Sequence, residues 1–273
     1  MAIISIRDLV FIWERWKDWK NPVRTLPQRF LAIFSEHDVE RTQIPRLIGP
    51  EFGLALSDLV SEEKLVARLN EPVLDRVCEL FGIRRQWLDG EDVSIYSGCG
   101  FYKNFHGFVD FVTDLQRQSK DIDFFVLKSI GHDLEDKKRH EDLAVVFRVG
   151  IGWVGDKEVF RYIPFADNYP WGHKSARIFL KGMCLIGWQF KIYPHCVEVS
   201  SDSISKVMSG TYVPHRLLKN LTWAKWHLDD YIVTRVESHV AKDEEEAVEI
   251  RQLLEQQGIL ARLPSSKGVP LGM

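Results

Sequence analysis

The sequence has only four cysteines in 273 residues, and Cys78, Cys99, Cys184 and Cys196 show no CxxC spacing. That excludes a disulfide scaffold and leads us to expect reduced thiols in a cytoplasmic protein. Neither sign of charge dominates: 36 Lys and Arg stand against 39 Asp and Glu, a net charge of -3. A uniformly basic coat that binds nucleic acid by charge alone is therefore excluded. Long apolar runs are missing. Arg7 and Asp8 interrupt the first one, so no signal-peptide core is expected. Uncharged stretches such as Gly182–Phe190 fall far short of the roughly 20 residues that cross a bilayer, so no membrane partner is expected. The GxSxG, HExxH and GxxxxGK[ST] patterns are absent as well. Of the potential metal ligands, Cys184 stands apart, and His195 and Cys196 are neighbours whose side chains would leave a strand on opposite faces. The expectation is no enzyme, no cofactor and no metal; a thiol chemistry at Cys99 or Cys196 is a minor alternative.

What is present is ordinary for a globular chain: 45% hydrophobic and 27% charged residues, in a length that suits about two domains. Ile6, Leu9, Trp13 and Trp16 recur at helical steps, which predicts a docking or dimer helix within residues 1–23. Asn21-Pro22 ends it. The spacing then predicts a helix from Leu26 or Pro27 to Glu36, one starting near Thr42 and closed by Gly49, and two more near 54–69 and 71–80. Trp87-Leu88-Asp89-Gly90 makes a last short turn, and Ser97-Gly98-Cys99-Gly100 is the expected domain boundary.

Residues 97–214 change character. A helix is predicted at 104–119, with Phe105, Phe108, Val109, Val112 and Leu115 inward. Strands are predicted at Asp123–Leu127, Leu143–Ile151, Glu158–Phe165 and Val197–Ser200, the middle two joined as a hairpin. Ser175–Phe190 is a helix, or a helix that breaks at Gly182 and Gly187. The polar cluster from His132 to Asp142 reads as a solvated loop, or as a loop that meets a ligand or partner. Trp153, Trp171 and Trp188 are expected in one core, beside which Tyr162–Trp171 closes the core or lines a pocket for a small ligand. Helical spacing returns over 215–240 through Leu217, Leu221, Leu228 and Tyr231, and Asp243–Gln257 is a second helix with an acidic start. The expected fold class is α+β: an N-terminal helical domain over 24–96, a small antiparallel-sheet α+β domain over 97–214, a C-terminal helical pair over 215–262 and a tail over 263–273.

The run Val73-Leu74-Asp75-Arg76-Val77-Cys78-Glu79-Leu80-Phe81-Gly82-Ile83-Arg84-Arg85-Gln86-Trp87-Leu88 resembles the end of a lambda-repressor/Cro-like (XRE) helix-turn-helix domain. Leu74, Val77, Leu80, Ile83, Trp87 and Leu88 would then be buried, and Gly82 would make the left-handed turn. By the same resemblance, Val39–Gly49 would be the second helix, and Pro50–Glu63 would contain the recognition helix. That stretch departs from the family, because no basic residue lies between Arg46 and Lys64. The net charge of -3 moreover resides in residues 1–96, while the rest of the chain is neutral.

The resemblance implies a sequence-specific transcriptional regulator that binds double-stranded DNA as a homodimer, with the α+β domain sensing a small-molecule or protein ligand. Arg41, Thr42, Gln43, Arg46 and Ser57 would meet the DNA, with Arg24, Arg29, Arg84 and Arg85 converging on the same face. Trp13, Trp16, Leu221 and Leu228 would form the dimer interface. The rival expectation is an adaptor: a degenerate helix-turn-helix that binds another protein and no DNA, to which the acidic stretch 51–63 points.

Overall fold

The computed structural model describes residues 22–219, 226, 228–231, 235–236, 239–240 and 244–264. The contacts divide them into two units: 22–97 together with Ile151–Phe160, and 98–150 together with 161–264. The domain expected over 97–214 thus lends the tip of its hairpin to the helical unit.

In the helical unit, α1 (Pro22–Glu36) buries Phe30, Ile33 and Phe34, which lie three and four residues apart on one face. It begins before the expected Leu26, so Pro27 lies inside it, early enough that its missing N–H removes one hydrogen bond near the start. A 3-10 turn (Arg41–Gln43) leads into α2 (Ile44–Ile48), which accommodates Pro45 in its first turn and buries Ile44, Leu47 and Ile48. Gly49 follows at φ 117, a conformation open to glycine. The single helix expected over 54–69 is instead a 3-10 turn (Leu56–Leu59) and a separate α3 (Glu62–Val66). Ser61 divides them: its extended backbone stops the turn, and its hydroxyl accepts from the Lys64 N–H to start α3. Asn70 caps α4 (Glu71–Phe81) in the same way, at 3.1 Å from the Val73 N–H. Gly82 ends it at φ 64, and α5 (Arg85–Asp89) follows. Leu74, Val77, Leu80, Ile83 and Leu88 are buried. Trp87 is only half-buried, with the Arg29 guanidinium over its ring.

In the second unit, α6 (Phe105–Gln118) is capped by Asn104 and buries the five residues expected of it. The sheet comprises β1 (Ile122–Ser129), β2 (Asp142–Val154), β3 (Lys157–Pro164), the short β4 (Tyr169–Pro170) and β5 (Pro194–Val199). Its order is β3-β2-β1-β5, with β4 beside β2. The sheet is mixed rather than antiparallel: β1 pairs antiparallel with β2 but parallel with β5, Val126 facing Cys196. Parallel pairing requires a long crossover, and α7 (Lys174–Gln189) is its main element. α7 is unbroken. Its two glycines serve close packing instead: a Cβ on Gly182 would lie 2.5 Å from the Phe105 ring, and one on Gly187 would lie 3.1 Å from that of Phe124.

Phe124, Val126, Val145 and Phe147 share a core with α6 and α7. Alternate residues such as Phe125 and Leu127 point the other way. There α8 (Ser201–Met208) contacts β1, with its Ile204 and Val207 buried. Trp171 is fully buried and Trp188 packs at the edge of the core, but Trp153 is 58% exposed on the hairpin, in the helical unit. The described part of 215–240 is not one helix. It holds α9 (His215–Leu218), a 3-10 turn (Leu228–Tyr231) and a small antiparallel pair, β6 (Arg235–Val236) with β7 (His239–Val240). β-branched Val236 and Val240 suit extended backbone better than a helix. α10 (Glu244–Gln256) packs on α7 and is followed by a 3-10 turn (Leu260–Arg262). No described helix is long and apolar enough to cross a membrane.

Candidate docking surface of the helical unit

Arg41 and Thr42 are exposed on the 3-10 turn before α2, and Arg46 is exposed on α2 itself. Arg41 and Thr42 border a groove of about 750 Å³, lined also by Leu31, Ser35, Asp38 and Lys157. Lys157 comes from the hairpin and holds the Asp38 carboxylate at 3.3 Å. Gln43 is not available in the way expected of a base reader: its side-chain oxygen accepts from the Glu40 N–H at 2.9 Å, completing a local cap. Ser57 is exposed, but it sits on the Leu56–Leu59 turn rather than on a recognition helix.

The cationic face expected from six arginines does not assemble from the side chains described. Arg29 donates to the backbone carbonyls of Trp87 and Asp92. Arg84 binds the Asp92 carboxylate at 2.5 Å. Arg85 binds Glu71, Asp75 and Asp89, at 2.7, 2.9 and 2.9 Å. Hydrogen bonding to Glu71 first, and the nearby carboxylates, raise the pKa of that guanidinium and hold it charged, and those carboxylates balance its charge within the unit. Arg68 and Arg76 are likewise engaged, with Asp58 and with the Ile48 carbonyl and Glu79. The Arg24 side chain lies outside the described ones. Arg41 and Arg46 have no carboxylate partner among the described residues.

The Leu56–Leu59 turn is held by Asp58, which accepts from the Ala55 N–H at 2.9 Å and meets Arg68 at 3.4 Å. Leu54 and Leu59 point into the core, which forces Leu56 and Val60 outward, at 55% and 71% exposure. Glu51, Glu62 and Glu63 are exposed in the same stretch. Three exposed carboxylates against the one exposed Lys64 in this stretch disfavour a phosphate backbone, and with the exposed apolar pair they suit an apolar, basic partner. The sequence signal for this was the alternation of Leu54, Leu56 and Leu59 across a single turn, which reads equally well as part of one buried helix stripe.

Elsewhere, burial pushes the Cys99 thiol up to about 11, with Asp167 adding to the effect, and Cys196 is buried. No group of three or more His, Cys, Asp or Glu suited to a metal occurs among the described residues. Of the dimer candidates, Trp13, Trp16 and Leu221 lie outside the described residues. Leu228 is fully buried in the core of the second unit, so its side chain is not on a surface.

One feature of the second unit has no counterpart in the expected sites. The Glu246 carboxylate, from α10, meets the Arg177 Nε at 3.1 Å and the Lys181 Nζ at 2.6 Å, both from α7. Lys181 also lies 5.3 Å from the centre of the Trp171 ring and 5.6 Å from that of Tyr231. All three charged residues are buried. Burial pushes the Glu246 carboxyl up, but Arg177 and Lys181 outweigh it and hold it at about 2. A lysine four residues after an arginine on an apolar helix was the available signal, and its acidic partner lies 65 residues away in sequence from Lys181.

Compared with protein-family models, with curated proteins and with solved structures, the chain matches none.

Proposed function

We propose that the helical unit is a docking module of helix-turn-helix ancestry that binds another protein through Leu56, Val60 and the surrounding carboxylates. The partner it suits is a segment with an apolar stripe flanked by Lys or Arg. The observation that carries this reading is the shape of the stretch at 54–66: a 3-10 turn and a five-residue helix, with Leu56 on the turn and Val60 just after it facing outward, where base reading would need a helix long enough to enter a major groove and donors along it. The second unit, on this reading, is a platform or ligand-responsive body to which the module is attached.

A second reading, a DNA-binding regulator acting as a homodimer, is favoured by one observation. Arg41 and Arg46 stand exposed on either side of the α2 start without a carboxylate partner among the described residues, with Thr42 between them. They would position a phosphate backbone, leaving Thr42 and Ser57 to read bases.

One set of measurements separates the two. Fluorescence anisotropy is run with labelled duplex pools at two salt concentrations, and with a labelled amphipathic peptide carrying Lys and Leu. The docking reading expects peptide binding that is lost in Leu56→Ser/Val60→Ser, and duplex binding that is weak and without sequence preference. Tight, sequence-selective duplex binding with a steep salt slope that flattens in Arg41→Ala/Arg46→Ala would replace it with the regulator.

A further inference from the structure

The charged side chains of the loop between β1 and β2 are exposed or half-buried, as a solvated cluster would be, but two of its residues are not. His132 and Leu134 are 2% and 4% exposed, and the loop is tied down along its length. The Lys128 Nζ donates to the His132 carbonyl at 2.8 Å. The Trp171 indole N–H donates to the Leu134 carbonyl at 2.7 Å. The Tyr231 hydroxyl donates to Glu135 at 3.1 Å, and Lys137 approaches Glu246 at 3.6 Å. At its end the Glu141 carbonyl accepts from the Trp171 backbone N–H at 3.0 Å. These contacts join the loop to Glu246 itself and to Trp171 and Tyr231, the two rings beside Lys181.

Within this tied-down loop both ring nitrogens of His132 lack a hydrogen-bond partner. The nearest carboxylate oxygen, on Glu141, is 3.8 Å from Nδ1, too far for a hydrogen bond. The charged groups that act on the ring are Glu141 and Asp133 on one side of the balance and Lys128 and Arg139 on the other. Lys128 is itself held by Glu198 of β5 at 2.7 Å. A neutral imidazole tolerates this site at a modest cost. An imidazolium there would be cut off from water and have two cations for neighbours.

We propose that residues 130–141 form a proton-released strap: near neutral pH the uncharged His132 keeps them seated beside the Arg177–Lys181–Glu246 cluster, and protonation of His132 lifts them off it. Burial, aided by Lys128 and Arg139 and opposed by Glu141, sets His132 below its ordinary value. The open strap therefore binds the proton more readily than the closed one. Closure is at full strength above the ordinary histidine value and weakens as pH falls below it. Opening would uncover the Trp171 indole and give solvent a path to Lys181 and Glu246.

Hydrogen–deuterium exchange on the full chain tests this, at about pH 7.5 and about pH 5.5, with rates corrected for intrinsic exchange. The expected result is that amides of 130–141 and the Trp171 amide exchange at least about threefold faster at the lower pH, while α6 and β1 do not change. In His132→Leu the acceleration should vanish. No acceleration in the parent chain, or the same acceleration in His132→Leu, overturns the proposal. Should His132→Leu fail to fold, Glu141→Gln decides. Removing the larger of the two nearby counter-charges should move the midpoint of the acceleration, followed over a pH series, to lower pH, and an unmoved midpoint also overturns it.

Discussion

The Lys181 ammonium and the Glu246 carboxylate, 2.6 Å apart and both buried, join the middle of α7 to the first turn of α10. Arg177, one helical turn before Lys181, grips the same carboxylate. Two cations from one helix and an anion from another give α10 a fixed place that its modest apolar face, Ala247, Ile250 and Leu254, would not specify alone.

Glu246→Gln leaves two buried cations without their carboxylate. The expected loss of stability is about 3–5 kcal/mol in urea unfolding at neutral pH, the range for breaking a buried pair from one side. The parent chain carries a pH signature as well. Glu246 is held at about 2, below its ordinary 4.5, so its contribution is complete above about pH 4.5 and is lost as pH falls toward about 2. The variant should lack that part of the acid-unfolding curve. Equal acid sensitivity in both would place the ion pair outside the stability of the fold.

Gly182→Ala should cost about 1–3 kcal/mol, because the added methyl meets the Phe105 ring at 2.5 Å. In an ordinary exposed helix the same change stabilises. Phe105→Leu, made in the same chain, should recover part of the loss. Chemical unfolding of the four members of the cycle measures the coupling, and additive effects would contradict the contact.

The native thiols should react slowly with a thiol-specific reagent near pH 8. Burial pushes Cys78 and Cys99 each up to about 11, and it raises Cys184, which is fully buried, as well. The thiolate is the reacting form, so reaction should quicken sharply on adding urea. A single fast thiol in the folded chain would contradict this and revive a Cys99 chemistry.

Leu56→Ser with Val60→Ser should leave unfolding stability within about 0.5 kcal/mol of the parent, as exposed positions usually do. Partner binding should nevertheless be lost. Arg41→Ala with Arg46→Ala should be equally silent for stability, and any residual duplex binding should lose part of its salt slope. A large stability loss in the first pair would mean that the two side chains pack after all.

Much of the fold follows from local patterns. α4 was readable from Asn70 to Gly82 because cap, apolar spacing and left-handed stop all agree, and α6 was readable from its apolar spacing. β1, β2 and β3 were readable from their β-branched and aromatic runs, β5 only in its second half, and the two-residue β4 was not expected. What misled was ambiguity of scale. Leu54, Leu56 and Leu59 fit a helix stripe, yet Ser61 and the Asp58 cap divide the stretch. Gly182 and Gly187 looked like helix breakers because their value lies in contacts with Phe105 and Phe124, far away in sequence. The candidate site was legible as positions but not as chemistry: Arg41, Thr42 and Arg46 are exposed as expected, whereas Gln43, Arg29, Arg84 and Arg85 are occupied by partners within their own unit.

By itself the sequence determined the α+β class, most helix and strand positions and the helical character of residues 22–92, because backbone preference and apolar period act over a few residues. Only the tertiary structure decided that β5 runs parallel to β1, that His132 is buried within an otherwise charged loop, and that Arg29, Arg84 and Arg85 are engaged within their own unit. Those outcomes depend on which charges and surfaces meet across long stretches of chain, where desolvation, rather than local propensity, sets the cost.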